Sequence, residues 1–313
     1  MGNRMVIALG GNAIQLGNGS TAAEQREACY HTAEQLVSII RNGYEIVLAH
    51  GNGPQVGNII LQNQISQCEK LPAMPLDTCG AMSQGMIGYW LQSALYEVFK
   101  QQGIEKETVT ILTQVQVDKE DQAFQNPTKP IGSFYTKEEA DKLQEEKGYT
   151  MVEDAGRGFR RVVASPKPIN IIEKNVINSL LNQQVVVVAT GGGGIPVTIC
   201  GSHLEGVEAV IDKDFASEKL AELVDAETLL ILTAVEKVAI NYGKDNEQWL
   251  SELSVEEAEE YIKEKHFAPG SMLPKIEAAI TFAKSKPGRK VIITSLDKAN
   301  VAVEGRTGTV ISA

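Results

Sequence analysis

Three lysines stand in settings that a solvated surface lysine rarely occupies. Lys129 lies between prolines in Asn126-Pro127-Thr128-Lys129-Pro130-Ile131-Gly132, Lys213 is flanked by Asp212 and Asp214, and Lys275 follows Pro269-Gly270-Ser271-Met272-Leu273-Pro274 at the start of a helix. A lysine on rigid or capped backbone is a point charge held in place, the form in which a protein meets a phosphate. Backbone donors come from Gly10-Gly11-Asn12-Ala13, from His50-Gly51-Asn52-Gly53-Pro54-Gln55 and from Thr190-Gly191-Gly192-Gly193-Gly194. Each follows an apolar run that reads as a buried strand: Met5–Leu9, Tyr44–Leu48 and Val185–Ala189. Glycine lets a ligand approach the backbone closely, and Pro54 favours a helix start whose free N–H groups suit an anion. One such loop is ordinarily a tight turn. Three at the same kind of junction predict an anion-binding edge at the carboxyl ends of a parallel sheet. Lysines and glycine N–H groups together suit phosphoryl transfer, in which catalysis is mostly positioning and charge neutralisation. No loop is Gly-x-x-x-x-Gly-Lys-Ser/Thr or a full Gly-x-Gly-x-x-Gly with an acidic ribose reader, which disfavours P-loop and dinucleotide sites.

The elements that must position these residues follow from periodicity and caps. Thr21 with Glu24 forms a capping box opening a helix that stops near Gly43. Strand Glu45–Leu48, a helix from Pro54 to about Gln67, a helix Ala81–Lys100 and strand Thr108–Leu112 follow. The order β–α–β–α–α–β predicts a layered α/β domain. From about Asp118 to Pro168 the rhythm breaks: two proline pairs bracket a short charged helix, Thr136–Glu146, which predicts a protruding lid subdomain. Helix Ile171–Gln183 and strand Val185–Ala189 restore the pattern. Asp214 is expected to cap a helix Phe215–Val224, and strands Thr228–Thr233 and Val238–Asn241 follow. Ser254 with Glu257 caps a helix to about Lys265; helix Pro274–Ser285, strand Lys290–Thr294 and a hairpin over Val301–Ile311 complete the chain. No internal repeat is visible, and the domain boundary is placed near Asp212.

At 313 residues, 43% hydrophobic and 22% charged, the chain has room for one large domain or two smaller ones. A net charge of −11 leaves no basic footprint for nucleic acid. No apolar run approaches the roughly 18 residues of a membrane span, and Met1–Met5 leads directly toward a strand without a signal peptide. Cys29, Cys68, Cys79 and Cys200 form no Cys-x-x-Cys pair, which predicts buried or partly buried free thiols in a reducing cytoplasm. The four histidines are too scattered to suggest a triad.

Taken together, Ala8-Leu9-Gly10-Gly11-Asn12-Ala13, His50–Asn58, Met74-Pro75-Leu76-Asp77-Thr78-Cys79-Gly80-Ala81-Met82-Ser83-Gln84-Gly85, Pro127–Gly132, Glu153–Gly158, Gly191–Pro196, Glu208–Asp214 and Gly270–Lys275 closely resemble the carbamate kinase family of the amino acid kinase superfamily. The resemblance runs nearly end to end; Ser133 and Ala164 depart from it where many relatives have proline. It implies a three-layer αβα sandwich with a mainly parallel central sheet, two lobes and the protruding lid at about 118–168. Residues 1–212 would form the carbamate- and carbamoyl-phosphate-binding domain and residues 213–313 the nucleotide-binding domain. Gly10, Gly11, Asn12, Gly51, Asn52 and Gly53 would hold carbamate or carbamoyl phosphate. Lys213 and Lys275 would flank the transferred phosphoryl group, Lys129 would reach in from the lid, and Asp214 would orient the lysines. Lys213, Thr233, Tyr242, Met272 and Lys275 would meet the nucleotide; for Tyr242 and Met272 ordinary core packing stays open. The family implies ATP or ADP as substrate with Mg²⁺, a homodimer, and use in arginine or related nitrogen catabolism.

Carbamate is already an anion, so its oxygen needs no general base, which fits a site without a poised His or Cys. Lysines, glycine N–H groups and Mg²⁺ can align two mutually repelling anions. The helix Ala81–Phe99, with Met82, Met86, Ile87, Tyr89, Trp90, Leu91 and Leu95, reads equally as dimer interface or as core. Two other functions are weighed: a superfamily kinase acting on N-acetylglutamate, aspartate or UMP, and a nucleotide-binding regulatory protein with a decayed site.

Overall fold

A computed structural model describes residues 3–15, 21–154 and 156–313, with the side chain of Asn12 outside the described set. Eight strands form one sheet in the spatial order Glu252–Ser254, Thr309–Ser312, Lys290–Ser295, Thr228–Thr233, Arg4–Leu9, Glu45–His50, Val186–Val188 and Thr108–Thr110. The last six run parallel, and Thr309–Ser312 pairs antiparallel with Lys290–Ser295. The central strands are near-continuous apolar runs because both faces are covered. One face packs on the helices Ala22–Arg41 and Leu76–Gln102 through Leu36, Ile39, Leu91 and Phe99. The other packs on Lys174–Leu181, Lys213–Leu223 and Met272–Ser285 through Ile177, Leu220, Ile276 and Phe282. The result is the expected three-layer α/β/α sandwich. The sheet runs without a break across residue 212, since Arg4–Leu9 and Thr228–Thr233 are hydrogen-bonded neighbours.

The strands that precede the three glycine loops, Arg4–Leu9, Glu45–His50 and Val186–Val188, are adjacent and parallel. Their loops therefore emerge side by side at one sheet edge. The region expected as a lid holds a separate antiparallel sheet of Lys129–Tyr135, Phe159–Val163 and Thr150–Glu153, together with the helix Lys137–Lys147. It rests on the helix Gly53–Ser66, where a Cβ on Gly57 would come within 3.4 Å of the Gly132 backbone. A further sheet, His203–Gly206, Ile195–Cys200, Gln114–Val117 and Pro168–Ile171, lies beside the main one.

Several expectations are corrected. The helix expected from Ala81 starts at Leu76, after Pro75, and runs through Gly80, Gly85 and Gly88. A Cβ at Gly88 would lie 2.2 Å from Thr110, so this glycine serves close packing against a strand rather than helix termination. Ile171 ends a strand, and the helix placed there is Lys174–Leu181. Asp212, not Asp214, caps the next helix: its carboxylate accepts from the Asp214 N–H at 2.9 Å. The tail is a short helix Ala299–Val303 followed by one strand, whose partners are the earlier Lys290–Ser295 and Glu252–Ser254 rather than an adjacent hairpin arm. Cys29 and Cys79 are buried free thiols, but Cys68 and Cys200 are exposed. The capping boxes at Thr21 and Ser254 form as expected, and Thr136 with Glu139 adds a third.

Candidate active site

A cavity of about 260 Å³ opens where the glycine loops meet the second half of the chain. Gly11, Gly51, Asn52 and Gly53 border it on one side, and Lys129, Lys213, Asp214 and Lys275 on the other. Three helices begin at its wall: Gly53–Ser66, Lys213–Leu223 and Met272–Ser285. Each helix N-terminus carries unpaired N–H groups and the equivalent of about half a positive charge, so the convergence favours an anion before any side chain is counted.

Asp214 is the centre of the charge cluster. It is 3% exposed, with Lys213 Nζ 3.0 Å from one carboxylate oxygen and Lys275 Nζ 2.9 Å from the other. Burial opposes its ionisation, but the two ammonium groups outweigh burial and hold the carboxyl below its ordinary range. Lys129 reaches from the lid strand to Asp212 at 2.6 Å. Asp212 thus serves twice: one oxygen caps a helix and the other anchors the lid lysine. Three lysines against two carboxylates leave a net positive charge in the wall.

The glycines are held by steric limits. A Cβ on Gly10 would lie 2.6 Å from the Leu232 carbonyl oxygen, so this loop abuts the end of the Thr228–Thr233 strand. Gly192, at φ +66°, faces the Asn52 amide, and a Cβ there would be 2.1 Å from Asn52 Nδ2. That amide donates to Ser83 Oγ at 2.8 Å, and Ser83 in turn donates to the Gly80 carbonyl at 2.6 Å. The third glycine loop therefore braces Asn52. His50, 1% exposed, lies with Nδ1 2.7 Å from the Gly51 carbonyl oxygen. Burial brings its pKa down to about 4, against the pull of the Gly51 hydrogen bond, and nearby Lys213 adds to the lowering. A neutral His50 whose Nδ1–H donates to Gly51 orients the loop from behind without adding charge.

A second cavity, of about 430 Å³, adjoins the first. Thr233, Tyr242 and Met272 line it together, as do Trp249 and Phe267. Tyr242 is 67% exposed, so it is not core; its ring meets Trp249 edge-on at 6.0 Å. Met272 both packs on the main core and lines the cavity. The segment Gly270–Met272 joins the two cavities, since Gly270 lines the first and Ser271 and Met272 the second. Lys213 and Lys275 lie in the first; Gly10 lines neither cavity but abuts Thr233, which lines the second. The side chain of Asn12 lies outside the described residues. Asp212, His50 and Ser83 were not expected in this role; Gly192 belongs to the third glycine loop already read as part of the anion edge, and Asp212 left a signal as the second acidic neighbour of Lys213.

Lysines and glycine loops at the sheet's carboxyl edge, beside a second cavity with an aromatic rim, form a site suited to phosphoryl transfer. The amino acid kinase family model matches residues 3–295, and the chain belongs to that family. Its full-length relatives include carbamate kinase 1 of Enterococcus faecium, 55% identical over 313 residues and covering all of both chains. A carbamate kinase-like protein of Escherichia coli is 54% identical, covering 99% of each chain. The structure of carbamate kinase from Giardia lamblia bound to AMP-PNP superposes with a TM-score of 0.93 at 46% identity, covering 99% of this chain and 98% of that one.

Proposed function

We propose that this chain is an ATP-dependent carbamate kinase, catalysing reversible phosphoryl transfer between ATP and carbamate to give ADP and carbamoyl phosphate. The observation that carries the reading is the Lys213–Asp214–Lys275 cluster at the mouth of three glycine loops, in a chain whose full-length relatives are carbamate kinases.

Carbamate would lie against the N–H groups of Gly11, Gly51 and Gly53, with Gly10, Asn12 and Asn52 completing its cradle. A carbamate oxygen attacks the γ-phosphorus, the new P–O bond forms, and the bond to the β–γ bridging oxygen breaks as ADP leaves with the electron pair. Lys213 and Lys275 flank the transferring group. Asp214 holds both ammonium groups at fixed positions, so little reorganisation is needed as charge moves. Lys129 can exchange Asp212 for a phosphoryl oxygen. With neutral His50 behind the loop and a substrate that is already anionic, no base is required. Residues 213–313 would supply the nucleotide side, with Thr233, Tyr242 and Met272 around the base and ribose.

Mg²⁺ would supply further positive charge to the phosphates. Both Asp214 oxygens are held by lysines, and no group of three or more ligating side chains occurs among the described residues. Both Asp212 oxygens are engaged as well, by the Asp214 N–H and Lys129, so the donor set fits an ion carried by the nucleotide's own phosphates. We also propose a cytoplasmic homodimer. Free cysteines support the compartment. Along the helix Leu76–Gln102, Met82, Tyr89 and Tyr96 form an exposed row seven residues apart, whereas Ile87, Trp90, Leu91 and Leu95 are buried in the core.

Formation of ATP from ADP, Mg²⁺ and carbamoyl phosphate, read through hexokinase with a no-protein control, tests the reaction. Rapid protein-dependent ATP is expected. Its absence, with ADP still bound, would move the reading to another acceptor or to a silent nucleotide-binding protein.

A further inference from the structure

The first cavity gathers lysines and helix N-termini, yet two groups in its wall have the opposite character. Gln15 and Gln55 both line it, and the side-chain carbonyl oxygen of each is buried without a hydrogen-bond partner among the described residues. Gln55 is 2% exposed. Leaving a buried acceptor unpaired is costly, and native proteins nearly always satisfy one with protein, water or ligand. The amide orientation of Gln55 is set by its neighbour. Gln25 Nε2 donates to the Thr21 carbonyl oxygen at 3.4 Å, which turns Gln25 Oε1 toward Gln55 Nε2 at 2.9 Å. The Gln55 oxygen is then left to accept from something else.

An acceptor in an anion site cannot face a carboxylate or phosphoryl oxygen, because those are acceptors too. It fits an N–H donor. On the carbamate reading, on which this inference rests, the substrate has such a donor: the planar amine on its central carbon. Gln55 is the third residue of the helix that starts at Gly53. One helical turn thus carries backbone N–H groups suited to anionic oxygens and an unpaired side-chain carbonyl suited to an amine. We propose that Gln55, with Gln15 as a second acceptor, reads the substrate amine and is a specificity-determining residue, selecting carbamoyl over acyl groups that lack an N–H. A site that hydrogen-bonds a substrate N–H discriminates far more strongly against an analogue without it than an apolar pocket does against a change of shape.

Acetyl phosphate is the matching probe, with a methyl in place of the amine and little change in size. The experiment compares kcat/KM for ATP formation from ADP with carbamoyl phosphate and with acetyl phosphate, in wild type, Gln55→Met and Gln15→Met. In Gln55→Met the carbamoyl-to-acetyl ratio is expected to fall roughly 10-fold or more, through loss on carbamoyl phosphate, with a smaller fall in Gln15→Met. Equal slowing on both substrates, leaving the ratio unchanged, would make the glutamine structural and overturn the inference. If Gln55→Met shows no cooperative melting transition, the ratio in Gln15→Met decides. Wild type inactive on carbamoyl phosphate would overturn the carbamate reading and this inference with it, whereas an unchanged ratio in active variants overturns this inference alone.

Discussion

The two cavities are built on different principles. In the first, backbone is pressed against backbone and amide: Gly10 against Leu232, Gly192 against Asn52, and Gly193 against the Ile211 carbonyl, where a Cβ would lie only 2.1 Å away. Its charges are paired around a buried carboxylate. The second is walled by side chains, with Tyr242 67% and Trp249 45% exposed at its rim. The first has almost no freedom to adjust and the second has a good deal. A reacting group needs alignment to fractions of an ångström, whereas a base needs only an apolar slot of the right width. Substitutions in the first cavity should therefore act on turnover, and substitutions in the second on binding.

The largest separation is expected from the lysines. Lys213→Ala or Lys275→Ala should lower kcat about 10²- to 10⁴-fold, as loss of a preorganised transition-state charge does. The fold should survive, because the other lysine still neutralises Asp214; circular dichroism and a melting curve check that. Next come the buried titratable groups, which make the first region sensitive to pH. Glu218 lies one helical turn beyond Asp214; burial pushes its pKa up to about 8, with Glu222 adding to the rise and Lys219 opposing it. The native state holds this proton until about pH 8, whereas the unfolded chain releases it near 4.5, so Glu218 removes stability as pH rises through that window. His50 acts with the opposite sign. Native His50 takes up its proton only near pH 4, against 6.5 when unfolded, so stability falls as pH drops between those values. Glu218→Gln should thus gain on wild type from pH 4.5 to 8, by on the order of 5 kcal/mol in urea unfolding. Its own stability should then rise from pH 4.5 to 6.5.

A smaller and steric contrast comes from two glycines in the same left-handed backbone region. Gly192→Ala should cost about 1–3 kcal/mol through its collision with Asn52 and should impair turnover. At Gly270, φ +71°, an added Cβ meets nothing within 4 Å, so Gly270→Ala should cost only about 1 kcal/mol in a melting comparison. The smallest effect belongs to the rim. Tyr242→Ala should raise KM for ADP by about 5- to 10-fold, one aromatic contact's worth, with kcat nearly unchanged in steady-state assays.

What was legible in the chain follows the same division. The three glycine loops could be read because strand, glycine and helix start are contiguous, and parallel neighbours must share an edge. The convergence of Lys129, Lys213 and Lys275 has no spacing to betray it; resemblance supplied it. The expected pairing of Asp214 with Lys213 and Lys275 forms, and only the helix cap moved to Asp212, because either aspartate can cap a helix that starts between them. The strands of the lid were hidden by their polarity, since a small sheet with one half-buried face lacks the apolar runs of the central one. The unpaired oxygens of Gln15 and Gln55 could not be foreseen at all, because an unsatisfied acceptor is a property of the surroundings rather than of the residue.

The decisive measurement is kcat and KM for ADP in carbamoyl-phosphate-driven ATP synthesis, determined side by side for Lys275→Ala and Tyr242→Ala with folding verified in both. The two-cavity account predicts a kcat loss of at least about 10² for the lysine variant and a KM effect alone for the tyrosine variant. Near-normal turnover in Lys275→Ala, or a comparable kcat loss in Tyr242→Ala, would contradict it.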